Sequence, residues 1–191
     1  MDYCVRTSST AEEIIKKSRF IGHMIPCSSA DEVQNALARL AAEHQGATHI
    51  AFAFRIKTRS GIVSKFFDAG EPGGTAGKPI FQHIEGRDLV NCLIAVVRYF
   101  GGIKLGAGGL VRAYGNAARR AIESNCVVPF VEYQKVPIVI DYPQLQSLEY
   151  HLKNLGGTIE SRSYGERVEL IVALPESSVA EMQRLIQANS L

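Results

Sequence analysis

The sequence predicts an α+β protein built as two domains. Three observations lead there. Residues 89–100, LVNCLIAVVRYF, form a long apolar run rich in β-branched side chains, which reads as a buried central strand. A glycine loop and a helix with one apolar face follow it directly. After Gln134 the pattern restarts as strand, helix, two strands, helix, so the boundary falls near Gln134–Lys135, giving domains 1–134 and 135–191.

The elements follow in chain order. Residues 3–6 suit a short strand, and the mostly apolar SRFIGHMIPC, residues 18–27, suits a longer one. Ser28 to Glu32 supply helix-start chemistry, and Val33, Leu37, Leu40 and Ala41 continue at helical spacing to about Glu43. Residues 49–56 and 61–67 read as strands joined by a polar turn. The loop GEPGGTAGKP spans 70–79, and Pro79 presets the first turn of a short helix. Beyond residues 89–100 lies a second loop, GGIKLGAGG, at 101–109. Leu110, Tyr114, Ala117 and Ala121 then mark a helix stripe, with Arg112, Asn116, Arg119 and Glu123 on the other side. Residues 126–133 return as a strand. In the tail, residues 136–141 read as a strand and 143–155 as a helix stopped by Gly156-Gly157. Residues 158–164 and 167–174 read as a hairpin, and 177–188 as a last helix.

Composition narrows the function. The 191 residues are 46% hydrophobic and 21% charged, ordinary for a globular protein. No apolar run reaches the roughly 18 residues that span a bilayer, and the N-terminus lacks a signal-peptide stretch. A cytoplasmic, non-membrane protein is expected. Cys4, Cys27, Cys92 and Cys126 are scattered without a CxxC pair and predict free thiols. The five histidines never pair at metal-ligand spacing, so no metal is expected, and no cofactor motif is present. The net charge of +2 conceals an asymmetry, since residues 135–191 carry five Lys/Arg against seven Asp/Glu. Anion affinity therefore belongs to the first domain.

The loop after Phe100 is the most informative feature. Glycine loops between a strand and a helix expose backbone N–H groups, and the helix start adds positive potential. From Leu89 to Ile122 there is no acid, but there are Arg98, Lys104, Arg112, Arg119 and Arg120. Arg98, Lys104, Gly106, Gly108, Gly109, Arg112 and Arg119 are the candidate nucleic-acid or anion-binding set. The competing reading is that the glycines serve turns and close packing only. The other loop offers Asp68, Glu71, Thr75 and Lys78. It fails as a phosphate-binding P-loop, because Pro72 stands where a glycine is required and Pro79 replaces the magnesium-binding hydroxyl. Glu71 and Thr75 are expected to hydrogen-bond free backbone N–H groups, including those opening the helix after Gly106. No nucleophile-plus-base pattern appears, so no catalytic residue is assigned. Tyr99, Phe100 and Tyr114 flank the basic loop and suit either the core or base stacking.

KKSRFI (16–21), DAGEPGGTAGKPI (68–80), AVVRYFGGIKLGAGGLVRAYG (95–115) and the βαββα tail together resemble the IMPACT/YigZ family over nearly the whole chain. The resemblance implies a first domain similar to a fold shared by domain IV of elongation factor G, a small-subunit ribosomal protein and the GHMP kinases. It implies a ferredoxin-like second domain, similar to domain V of that factor; the βαββα order read from the residues lacks that fold's last strand. Glu71, Thr75 and Gly77 match the first glycine motif; Arg98, Gly101, Gly106, Gly109 and Tyr114 match the second. Ala69 departs from the family's second acid, and Ile50-Ala51 from its residues after His49. The family suggests nucleic-acid or ribosome contact; with no catalytic pattern in the residues, the expected function is a non-catalytic, translation-associated factor with RNA or the ribosome as partner. A protein-interaction regulator is the second implied class. Phosphoryl transfer, by analogy with the GHMP kinases, is the third, although Gly106-Ala107-Gly108-Gly109 has no hydroxyls.

Overall fold

The computed structural model describes residues 1–188. It is a mixed α/β chain with two compact units, divided between Phe130 and Val131. In the first unit the elements are β1 (Tyr3–Val5), β2 (Ser9–Ile15), β3 (Ser18–Pro26), α1 (Ala30–Glu43), β4 (His49–Thr58), β5 (Gly61–Phe67), α2 (Gly77–Glu85), β6 (Cys92–Tyr99), α3 (Ala107–Glu123) and β7 (Val127–Pro129). Five strands form one sheet in the order β2-β3-β6-β4-β5, every neighbour antiparallel. β1 and β7 pair as a separate ribbon.

The centre of the sheet explains the apolar run. Ile94 and Val96 of β6 join Phe20, Met24, Ile80, Ile84, Leu110 and Tyr114 in a core between the sheet and helices α2 and α3. Leu93 points the other way and packs with Phe54, Val33 and Ala36 beneath α1. A strand covered on both faces needs apolar residues at successive positions rather than at alternate ones. Each large side chain buried this way contributes about 1.5–3 kcal/mol of transfer free energy. α1 starts where expected, with the Ser29 hydroxyl accepting from the Glu32 backbone N–H and the Glu32 carboxylate reaching back to Ser28.

Two sequence expectations need correction. β2 was not anticipated; its residues STAEEII alternate half-buried and exposed, as an edge strand with one covered face does. Residues 126–133 do not form one strand. Three of them make β7 against β1, and the next strand begins at Tyr133.

The second unit contains β8 (Tyr133–Ile140), a 3-10 turn (Tyr142–Gln144), α4 (Leu145–Asn154), β9 (Thr158–Tyr164), β10 (Val168–Pro175) and α5 (Glu176–Gln187). Its sheet has the order β8-β10-β9, antiparallel throughout. Ile138, Ile140, Leu148, Leu152, Leu170, Leu174 and Met182 form its core. Among the described residues this sheet has three strands; a strand after α5 would lie outside them. No described helix is long and apolar enough to cross a membrane.

Candidate binding face around the glycine loops

The strand registers bring three loops to one end of the five-stranded sheet. Ile15 pairs with Ser18, Arg19 with Tyr99, His49 with Arg98 and Phe52 with Phe67. The Lys16-Lys17 turn, the 68–76 loop and the 100–106 loop therefore share that end. α2 and α3 both begin there.

A buried polar cluster ties the loops together. Arg98 lies at the end of β6, where the preceding apolar residues hold it inside. Its Nη1 donates to Glu71 Oε1 at 2.6 Å, and both side chains are almost fully buried. The Tyr114 hydroxyl on α3 donates to the same oxygen at 2.7 Å. Burial, then this hydrogen bond to a carboxylate, push the Tyr114 phenol far above its ordinary pKa. His49 donates Nδ1–H to the Ala69 carbonyl at 2.7 Å, which leaves Nε2 toward Glu71 at 3.8 Å. Ser18 Oγ accepts from the Gly101 backbone N–H at 3.1 Å and from Arg98 Nη2 at a long 3.4 Å. One ion pair thus links the segment KKSRF, the 68–76 loop, β6 and α3.

Arg98 is therefore corrected as a phosphate contact. It is buried and paired, and its guanidinium lies within 5.4 Å of the Phe20 and Phe100 rings. Glu71 and Thr75 are corrected as caps. Glu71 faces inward to Arg98 and Tyr114, and Thr75 Oγ1 donates to the Pro72 carbonyl at 2.6 Å. The cap is Asp68. Its carboxylate accepts from the backbone N–H groups of Gly74, Ala76 and Gly77 at 2.8–3.0 Å. Partial burial is the largest single influence on Asp68 and raises its pKa, but the three N–H donors together outweigh it. The net shift is downward. Gly77 is required by packing, since a Cβ there would stand 2.6 Å from the Phe67 backbone nitrogen. Lys78 is exposed.

The start of α3 is different. Gly106, at φ +74°, forms its N-cap without any side-chain hydrogen bond, and no acid occupies the first turn. The N–H groups of Ala107, Gly108 and Gly109 have no partner among the described residues. A Cβ at Gly108 would meet only Arg112 Nη1, at 3.9 Å, so that guanidinium folds back over the first turn. Gly109 instead makes room for Leu105, whose Cβ a Gly109 Cβ would approach to 2.9 Å. Lys104 is exposed in the loop. Arg119 pairs with Glu123 at 3.0 Å. It lies seven residues beyond Arg112, about 10 Å along the helix at 1.5 Å per residue, so it belongs to the outer face of α3 rather than to the loop.

Sequence reasoning missed the Lys16-Lys17 turn as part of the site. Both lysines are exposed and left-handed, at φ 46° and 64°. A two-residue hairpin turn of this kind favours Asn-Gly, and L-residues there cost about 1–2 kcal/mol each. The turn is locked against the second glycine loop. A Cβ on Gly101 would fall 2.0 Å from the Lys17 carbonyl carbon, so only glycine fits. The available signal was a pair of lysines between two short strands, but it needed β2 to be recognised first.

The fold and this end of it define a two-part α/β protein with a cationic glycine-loop face. Residues 16–122 match the Impact N-terminal domain, and residues 138–190 match a domain of unknown function, DUF1949. The chain belongs to the IMPACT family. It is 36% identical over 167 residues to the IMPACT family member YvyE of Bacillus subtilis, covering 87% of this chain and 76% of that protein. It is 38% identical over 177 residues to the IMPACT family member YigZ of Escherichia coli, covering 90% and 85%. A crystal structure of a hypothetical protein aligns with all of this chain and 94% of its own, at 33% identity and a TM-score of 0.72.

Proposed function

We propose that this chain is a non-catalytic, cytoplasmic, translation-associated factor that binds RNA, free or on the ribosome, through its glycine-loop face. The observation that carries the reading is the start of α3. Its first-turn N–H groups have no partner among the described residues, the first turn holds no acid, and Arg112 folds over them. Lys104 in the same loop and the Lys16-Lys17 turn beside it add exposed positive charge. Such a surface suits backbone phosphates, which lysine and arginine neutralise without reading bases. Arg119 extends the positive face along α3. On the finer fold we propose the arrangement of elongation factor G domain IV for the first unit and a ferredoxin-like arrangement for the second. We also propose the domain boundary at Gln134–Lys135, a few residues beyond the division between the two compact units at Phe130 and Val131.

A second reading, a protein-interaction regulator, is favoured by one observation. All seven residues of the edge strand β5 are exposed, among them Ile62, Val63, Phe66 and Phe67. Purification from lysate at low salt separates the two. Ribosomal RNA or whole ribosomes following the protein, and leaving as salt rises, is the expected result. Retention of one protein partner with no RNA contradicts the first reading and favours the second.

A further inference from the structure

Of the three aromatic residues that flank the basic loop, the structure gives only one to solvent. Tyr114 is completely buried, and Tyr99 is half-buried with its hydroxyl 2.8 Å from His44 Nδ1. Phe100 is 46% exposed. A single exposed phenylalanine is ordinary on a protein surface. The setting of this one is not. Its ring rests on the Arg98 guanidinium at 5.4 Å, and Arg98 is itself fixed by Glu71. The Phe100 backbone N–H donates to Thr48 Oγ1 at 3.0 Å, which anchors the backbone at this position. The next residue, Gly101, abuts the Lys17 backbone, which places Lys16 and Lys17 on one side of the aromatic residue. Lys104 follows four residues later in the same loop, and Ile103 beside it is 42% exposed.

We propose that Phe100 stacks against an unpaired nucleobase while Lys16, Lys17 and Lys104 hold the flanking phosphates, so that the RNA bound at this face is single-stranded. The inference rests on the RNA-binding reading above and narrows it. A pre-positioned aromatic ring among cations is the arrangement by which proteins hold single strands without sequence preference, because every base offers a π-face. A duplex keeps its bases stacked inside and presents phosphates and sugar edges, for which an exposed ring has no use. Rigidity matters here too. A ring that already rests against Arg98 on a hydrogen-bonded backbone loses less conformational freedom when a base covers it than one on an unanchored loop.

The test uses the full chain and fluorescence anisotropy at low salt. The probes are an oligouridylate of about a dozen nucleotides, within the usual site size, and an RNA duplex of similar length. The expected result is tighter binding of the single strand. Phe100→Ala and Phe100→Leu should weaken that binding by roughly five- to a hundredfold, while Phe100→Tyr retains it. Duplex binding should not change among these variants. The leucine variant keeps an apolar side chain in place, and thermal melts of all three show whether the fold survives. Wild-type affinity for the single strand in Phe100→Leu, or an equal loss for single strand and duplex, overturns the stacking proposal. In that case binding that still falls in Arg112→Glu/Arg119→Glu leaves the broader RNA reading standing. Absence of binding to either RNA by the wild-type chain overturns both.

Discussion

The two glycine loops at one end of the sheet open two helices and treat them oppositely. α2 is closed from within, because Asp68 occupies the N–H groups of Gly74, Ala76 and Gly77. α3 is open, because Gly106 offers no side chain and no acid lies in its first turn. Both helix starts carry about half a positive charge from their aligned peptide dipoles. In α2 a resident carboxylate neutralises it; in α3 it adds to Arg112. The lesson is that a glycine-rich loop by itself does not distinguish scaffold from site. The position of the nearest carboxylate does.

The largest expected effect comes from breaking the cluster that couples the two loops. Glu71→Ala leaves the buried Arg98 charge without its partner and should cost about 3–5 kcal/mol of stability, read as a lowered midpoint in urea. Glu71→Gln, which still accepts from Tyr114, should cost less. A stability unchanged in both variants would mean that the loops do not depend on each other.

The closed loop alone gives the next effect. Asp68→Asn weakens three hydrogen bonds to the start of α2 and should cost about 1–3 kcal/mol. The pH dependence has a definite sign. Because folding depresses the Asp68 pKa, its contribution is present above the ordinary aspartate value of about 3.9 and is lost as pH falls through the lower folded value. Between about pH 5 and pH 2 the wild type should therefore lose more stability than Asp68→Asn. Parallel pH curves for the two proteins would remove Asp68 from this role.

The open loop should behave in reverse, with small changes in stability and large changes in binding. Arg112→Glu/Arg119→Glu turns the exposed Arg119–Glu123 pair into a like-charge pair and should shift stability by no more than about 1 kcal/mol. RNA affinity should fall, and the slope of log affinity against log salt should lessen by about two, one for each lost phosphate contact. An unchanged slope would move the binding face elsewhere.

Much of this organisation was legible in the chain. The apolar run 89–100 contains β6, which is shorter at both ends, the stripe Leu110, Tyr114, Ala117 and Ala121 marks α3, and the tail has the expected order of elements with a 3-10 turn added before α4. What could not be read was partnership across the fold. Arg98 looks the same in sequence whether it faces solvent or meets a carboxylate 27 residues upstream. Asp68 and Glu71 are three residues apart, and the left-handed turn at Ala69 and Gly70 lies between the one that caps α2 and the one that turns inward. β2 escaped because Ala11, Glu12 and Glu13 carry no strand preference and pairing with β3 supplies the structure. Lys16 and Lys17 escaped with it.

The contrast between the two helix starts is tested most directly by titrating the full chain with inorganic phosphate and following backbone amide shifts. The amides of Ala107, Gly108 and Gly109 are expected to move in a saturable way while those of Gly74, Ala76 and Gly77 stay fixed. Stationary amides at 107–109 at millimolar phosphate, or equal movement at both helix starts, would contradict it.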